Sequence, residues 1–451
     1  MNVDQSEESM LLNPVSCIIR SLVHYFAKSP LWEAALVSLL IPLTGVHAQV
    51  QFSASTQRRV SLTLDEAIQA ALTNPSVMAA RERVSAARGT LRTARTWTNP
   101  TLNYQVENAQ LPGSKPSGVE REESIFAMLP LEPLYQLAPR VRRARLEVTA
   151  ADYELSEARR MTIVDASSAF FRAAVAQVAV RSSTEVNAWL DSLIVYTSNR
   201  VREGAAAEAD LLRLQVESGR AEVDLAMSQM DLARELAELS VVTGIDADSV
   251  MVDPQSYSPR PSAALSSLDS LTALALARRS DVAAAFTRVQ AASAAVSIER
   301  RAIVREIGVM AGVKKMEGER SLMAGLSLPF PLFDRNAGEI QRAQAEQRAA
   351  AFEYDLVRRQ VASEIQSALR GTVALESALA KTRNLLARAE ESRRIAEAAY
   401  REGAIPLSQV IEAARALADA RQANARAYFG WRTALIELTS STTIQNQESR
   451  P

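Results

Sequence analysis

Histidine and cysteine are nearly missing. Cys17, His24 and His47 are the only ones, and all three fall within the first 48 residues. From residue 49 onward there is neither a thiol nor an imidazole. That excludes disulfides, a cysteine nucleophile, a histidine-based triad and a soft-ligand zinc or copper site. Aromatic residues make up only 5% of the chain, too few for a thick aromatic core. After the first 48 residues no apolar run approaches the roughly 18 residues of a spanning helix, so no transmembrane helix is expected. An excess of one charge is also lacking. The formal net charge is -1, which offers nothing to nucleic acid and no basic membrane patch. No phosphate-binding glycine loop, cofactor motif or nucleophile–base set appears. The chain therefore reads as no enzyme, with no catalytic residue, no cofactor and no metal site.

Residues 1–48 read as an export signal. Lys28 precedes an apolar stretch at 34–43, and Val46-His47-Ala48 supplies small residues for cleavage after Ala48. The acidic residues Asp4, Glu7 and Glu8 are unusual ahead of such a stretch, so the start is Met1 or Met10. The alternative is an uncleaved anchor, for which the apolar core is short. Cys17 precedes that core instead of following it, the wrong order for lipid attachment.

What is abundant is Ala, Leu, Arg and Glu, the residues of long helices. Residues 141–203 contain no glycine and no proline and break at Arg202-Glu203-Gly204. One helix of that length measures about 95 Å. A second helical run returns to Gly244, so 141–243 reads as a long helical hairpin. Ahead of it, Thr63 and Glu66 have the spacing of a capping box, and Pro75 opens a second helix. At Asn99-Pro100 the period changes from 3.6 to 2. In 101–108 Leu102, Tyr104 and Val106 alternate with Asn103, Gln105 and Glu107, a strand with one apolar and one polar face. A second strand is expected at 123–129, after a loop at 111–118.

The plan then repeats. Segment 275–282 echoes 70–77, Pro329 matches Pro130, and Arg401-Glu402-Gly403 matches Arg202-Glu203-Gly204. Strands are expected at 306–313 and 321–328, and a second helical hairpin at 339–439. The chain is thus read as a flexible start (49–60), a first repeat (61–251), a linker (252–267), a second repeat (268–439) and a disordered tail (440–451). The fold class is mainly α with a small β part.

Four short strands cannot close a membrane barrel alone, but copies of the chain can pool theirs. Asn103, Gln105 and Glu107 then line the barrel lumen. A small soluble hairpin layer against the helices satisfies the same periodicity, and periodicity alone does not choose.

Specific motifs do. Leu62-Thr63-Leu64-Asp65-Glu66-Ala67-Ile68 with Asn74-Pro75, and Tyr400-Arg401-Glu402-Gly403 leading to Val410-Ile411-Glu412-Ala413, resemble the outer-membrane efflux (TolC-like) family. The resemblance runs over about 62–438. Asn99-Pro100-Thr101-Leu102, Val106-Glu107-Asn108 and the segment 326–336, ending Phe333-Asp334-Arg335-Asn336, look most like its heavy-metal cation (cobalt–zinc–cadmium resistance) branch.

The resemblance implies a homotrimer with a twelve-stranded outer-membrane β-barrel in lipid and an α-barrel in the periplasm. It implies a passive duct for heavy-metal cations that works with a periplasmic adaptor protein and an inner-membrane resistance-nodulation-division pump. Drug or small-organic efflux, type I secretion, and a non-channel periplasmic scaffold are the alternatives. By position, the implied gate residues are Tyr400, Asp210 and Glu412. Gln409 stands where the family has an acidic residue, a departure that would leave one charge ring neutral. Arg202, Glu203, Gly204, Arg401, Glu402 and Gly403 are the implied adaptor contacts.

Overall fold

The structure, a computed structural model, describes residues 60–109, 121–253, 267–302, 307–316 and 318–442. The expected signal at 1–48, residues 49–59, the loop at 111–118, most of the linker and the tail beyond 442 lie outside the described residues.

The first repeat consists of α1 (Leu64–Ala71), α2 (Pro75–Ala94), β2 (Thr101–Glu107), β3 (Glu122–Pro130), α3 (Pro133–Arg202) and α4 (Glu208–Thr243). The second repeats that order as α5 (Leu268–Arg278), α6 (Ser280–Arg301), β5 (Gly308–Met316), β6 (Glu319–Ser327), α7 (Ala337–Arg401) and α8 (Leu407–Thr442). The capping box forms as expected. Thr63 N–H donates to Glu66 Oε2 at 2.8 Å, and Glu66 N–H donates to Thr63 Oγ1 at 3.3 Å.

Several boundaries differ from expectation. α3 begins at Pro133, not at 141, and carries Pro139 inside it. A proline there cannot serve the carbonyl four residues earlier. That carbonyl, Tyr135 O, accepts from Arg301 Nη1 at 3.0 Å. A guanidinium from the end of α6 thus lets α3 run unbroken for 70 residues, about 105 Å. One 18-residue window of α3 reaches a mean hydropathy of 1.4, and half of it is buried in the protein, as in the core helix of a folded domain. Val60, expected in the flexible start, and Val252, expected in the linker, belong to a short parallel pair, β1 (Val60–Leu62) and β4 (Val250–Val252). The Gln177 side chain acts as a further strand for it, donating to Val252 O and accepting from Val252 N–H, both at 3.1 Å. Residues 440–442, expected in the tail, continue α8. β5 and β6 pair through Met316 and Glu319. The charged residues there end the sequence alternation but not the main-chain ladder.

The return helices are half the length of the long ones, and the short helices make up the difference. Asn74 shows how. Its side-chain oxygen accepts from Ser76 N–H at 3.0 Å and caps α2. Its amide donates to Val241 O and Val242 O in the last turn of α4, at 3.0 and 2.8 Å. One side chain joins α4 and α2 end to end along α3. The main core lies at this level. Phe171 and Phe429 stack at 5.8 Å, and the fully buried Arg432 guanidinium sits 5.0 Å from the Phe171 ring and 5.3 Å from that of Tyr428. Further up, Asn336 of the Asp334-Arg335-Asn336 motif takes a φ of +59° and donates to Glu299 O at 2.8 Å, tying the start of α7 to α6.

The remaining strands form one antiparallel sheet in the order β2-β3-β5-β6. Register gathers Tyr104, Ile125, Val313 and Leu322 into one row across it, and Leu102, Ala127, Ala311 and Ala324 into the next. All eight are exposed and form one apolar face. The opposite face carries Asn103, Gln105 and Glu107, with Ser124, Lys314 and Ser321. It also carries Phe126, Met128, Met310 and Met323, which explains why the alternation expected at 123–129 is blurred. Phe126 lies over Gly312, where an added Cβ would stand 2.4 Å from Phe126 Cβ and 2.2 Å from Ile125 O. Gly312→Ala should therefore destabilise the sheet by about 1–3 kcal/mol. A drop in the temperature at which the strand part unfolds, followed by circular dichroism, checks it.

Candidate functional site

The turns that end α3 and α7 are built alike. Gly204 and Gly403 have φ values of +70° and +75°, the left-handed conformation that a residue without Cβ adopts most readily. Gly204 N–H donates to Val201 O at 3.0 Å and Ala205 N–H to Arg200 O at 2.8 Å. Gly403 N–H donates to Tyr400 O at 2.9 Å and Ala404 N–H to Ala399 O at 2.8 Å. Both pairs are Schellman turns. Arg202, Glu203, Gly204, Arg401, Glu402 and Gly403 are all exposed at this end.

Behind the turns one cluster draws on all four long helices. Leu190, Leu214, Tyr400, Leu407 and Val410 are buried together. Tyr400 is only 9% exposed. Its hydroxyl lies 3.4 Å from Thr197 Oγ1, and its ring meets Tyr196 edge-on at 6.4 Å. The tyrosine implied as a gate residue thus links α7 to α3 inside the chain and lies on no open face of it. Gln409 and Glu412 are exposed, and Glu412 makes no ion pair among the described residues. Asp210 is half-buried, 4.0 Å from Arg213. Asp210 and Gln409 occupy the same place in the two repeats. Gln409 lines a shallow groove of about 660 Å³ between α7 and α8, together with Ser392 and Ile395.

Sequence reasoning missed the other ties between the two hairpins. Arg415 of α8 pairs with Glu217 of α4, and Arg421 of α8 pairs with Glu185 of α3. Thr197 was missed as well. Its one signal is a polar residue continuing the apolar stripe Val186, Leu190, Leu193 at helical spacing. Burial pushes the Glu185 carboxyl up, but Arg421 and Arg181 outweigh it and hold the group below its ordinary range. Among the described residues no group of three or more His, Cys, Asp or Glu comes together as a metal site.

A strand sheet with an apolar face, continued by paired helices of tunnel length, is the fold of an outer-membrane channel. The crystal structure of the outer membrane protein VceC from Vibrio cholerae has it. It superposes with a TM-score of 0.70 at 19% identity, over 84% of this chain and 96% of that one. Residues 271–443, nearly the whole second repeat, match the outer membrane efflux protein family. That stretch carries the family's domain, and the described residues share the fold of the solved outer membrane protein. The chain is 26% identical over 356 residues to the nickel-cobalt-cadmium resistance protein NccC of Alcaligenes xylosoxydans xylosoxydans, covering 75% of each chain. It is 25% identical over 372 residues to the cobalt-zinc-cadmium resistance protein CzcC of Cupriavidus metallidurans, covering 80% of this chain and 85% of that one.

Two outcomes test the tip. Tyr400→Ala leaves a cavity and should weaken the cluster by about 3 kcal/mol, whereas Tyr400→Phe, which removes only a long hydroxyl contact, should weaken it by about 1 kcal/mol or less. Amide hydrogen exchange in 186–214 and 396–410 reads both. Because the Glu185 carboxyl is held low, its stabilisation is present above the ordinary glutamate pKa. It is lost as the pH falls below about 4 through the folded value. Exchange around Glu185 and Arg421 should rise on such acidification, and Glu185→Gln should flatten that dependence.

Proposed function

We propose that three copies of this chain close into a passive outer-membrane duct through which heavy-metal cations leave the periplasm. The sheet is the observation that carries this reading. One face is apolar from the Leu129, Val309, Leu326 row through the Tyr104, Ile125, Val313, Leu322 row, with the charged Glu123, Lys315 and Arg320 beyond it at the loop end, and β2 and β6 are the outer strands. Hydrocarbon does not tolerate an unpaired edge, so β6 of one copy pairs with β2 of the next until the ring closes. Asn103, Gln105 and Glu107 then face the water-filled lumen, and the helical hairpins form the tunnel wall below it.

The cargo reading is supported by the metal-resistance names of the relatives. Without His or Cys after residue 48 the duct keeps only carboxylates and methionine thioethers, weak means of selecting a metal, so that choice falls to an inner-membrane resistance-nodulation-division pump, which also supplies the energy. A periplasmic adaptor meets the duct at the turns around Gly204 and Gly403. Tyr400 helps hold the tip shut by tying α7 to α3. Glu412 and Asp210 favour cations, and Gln409 leaves its ring neutral. Nothing in the chain catalyses a reaction. Residues 1–48 direct export and are removed after Ala48.

The test is purification from outer membranes. A heat-resistant trimer beginning at Gln49, with discrete cation-selective conductance steps in planar bilayers, is the expected result. A monodisperse protein that needs no detergent would sink the reading. A deletion strain sensitive to drugs but not to nickel, cobalt, zinc or cadmium would replace the cargo and leave the channel standing. Glu412→Gln should weaken block by divalent cations several-fold, and unchanged block would remove Glu412 from its role.

A further inference from the structure

A groove of about 780 Å³ opens on α3 just below the sheet. Trp97, Leu134, Leu137 and Val141 give it an apolar wall, and Arg142 and Arg145 stand at its far end. Trp97 precedes β2 and Leu134 follows β3, so the groove starts where the strands give way to helices. Trp97 is 50% exposed and Leu134 68%. Phe330 and Phe333, which follow β6 at the same end, are 87% and 94% exposed. Large apolar and aromatic side chains left open at one level of a barrel mark the boundary between hydrocarbon and headgroups.

The arginines divide into two kinds. Arg140 lies 3.9 Å from Glu132 and Arg143 2.8 Å from Glu147. Arg142 and Arg145 are exposed and make no ion pair among the described residues. They continue the helical stripe of Leu134, Ala138 and Val141. Leu134 and Arg142 are about 12 Å apart along the axis, and helical side chains lean toward the N-terminus, here toward the sheet. The guanidiniums therefore reach back to the depth of a headgroup whose tails lie beside Leu134. Guanidinium forks suit phosphate oxygens. A net charge near zero concealed this local patch.

We infer that the groove binds an anionic glycerophospholipid of the periplasmic leaflet, with its acyl chains against Trp97 and Leu134 and its phosphate on Arg142 and Arg145. The inference rests on the outer-membrane duct proposed above. It is tested on the purified full-length trimer by quenching of tryptophan fluorescence with brominated phosphatidylglycerol or brominated phosphatidylcholine. Wild type should be quenched at a roughly ten-fold lower mole fraction of the anionic lipid. Arg142→Gln/Arg145→Gln should lose that preference, Arg142→Lys/Arg145→Lys should keep most of it, and Trp97→Phe should lose the quenching. Equal quenching of wild type by the two lipids, or a preference unchanged in the glutamine double variant, would overturn the inference. Heat resistance and conductance are measured on the same preparations. A wild type that forms no conducting trimer would bring down the duct reading itself, a failure distinct from loss of lipid preference in a working channel.

Discussion

β2 and β6 each turn a row of main-chain N–H and C=O groups outward, while Leu102, Tyr104, Ile125 and Leu322 stand exposed on the face between them. Water satisfies the edges but not the face, and hydrocarbon satisfies the face but not the edges. In the proposed duct, closure of the sheet through further copies answers both. Strands of 7 to 9 residues are close to the length a tilted spanning strand needs, about 9–11 residues. Closure then constrains the helices, because each strand must pass into its helix without leaving unpaired backbone at the boundary. Leu131 N–H, just past β3, still donates to Ile307 O at 2.7 Å, and Arg301 takes the Tyr135 carbonyl that Pro139 abandons. The pairing therefore persists into the first turns of α3.

The two repeats share one order of elements but meet the same local problems differently. Asn74 and Arg279 occupy equivalent places. Asn74 joins two helix ends through its amide and carbonyl. The Arg279 side chain is 3% exposed and reaches Asp281 at 2.7 Å and Glu364 at 2.6 Å. Burial works against its charge, but the two carboxylates outweigh it and raise its pKa. Glu437 lies near this group, and burial first, then the Glu364 charge, push its carboxyl up. The first repeat thus uses neutral hydrogen bonds at this level, and the second uses charge that depends on exact pairing.

The parts of this fold that were legible in the sequence are the periodic ones. A run without glycine or proline, ended by Gly204 or Gly403, specifies a long helix and its stop through local geometry alone. The change of period at Asn99-Pro100 marks the strand for the same reason. What stayed hidden depends on partners far away in the chain. Nothing near Pro139 announces Arg301. β1 and β4 are three residues each, too short for a pattern, and exist because 60–62 and 250–252 meet. Tyr400 was visible as a residue of interest, but its burial against Thr197 comes from the way α7 crosses α3. The basic patch on α3 was lost in a whole-chain charge balance that averages over both faces of the helix.

The ties between the hairpins are unevenly strong along their length, and this bears on how a tip can open. At the level of Phe171, Phe429 and Arg432 the hairpins share a buried apolar core, and separating it would expose large apolar surface. At the tip the links are the Thr197–Tyr400 contact and the pairs Arg415–Glu217 and Arg421–Glu185, around a cluster of five buried residues. Exposed ion pairs contribute about 1 kcal/mol or less each, since water replaces them when they part. All three polar links leave the second hairpin for the first, and Tyr400 has Val201 as its counterpart in the other repeat, with no hydroxyl to offer. The weak end of the molecule is therefore the end with the Schellman turns. Segments that move are drawn from such low-stability regions, and in the proposed duct that region coincides with the mouth.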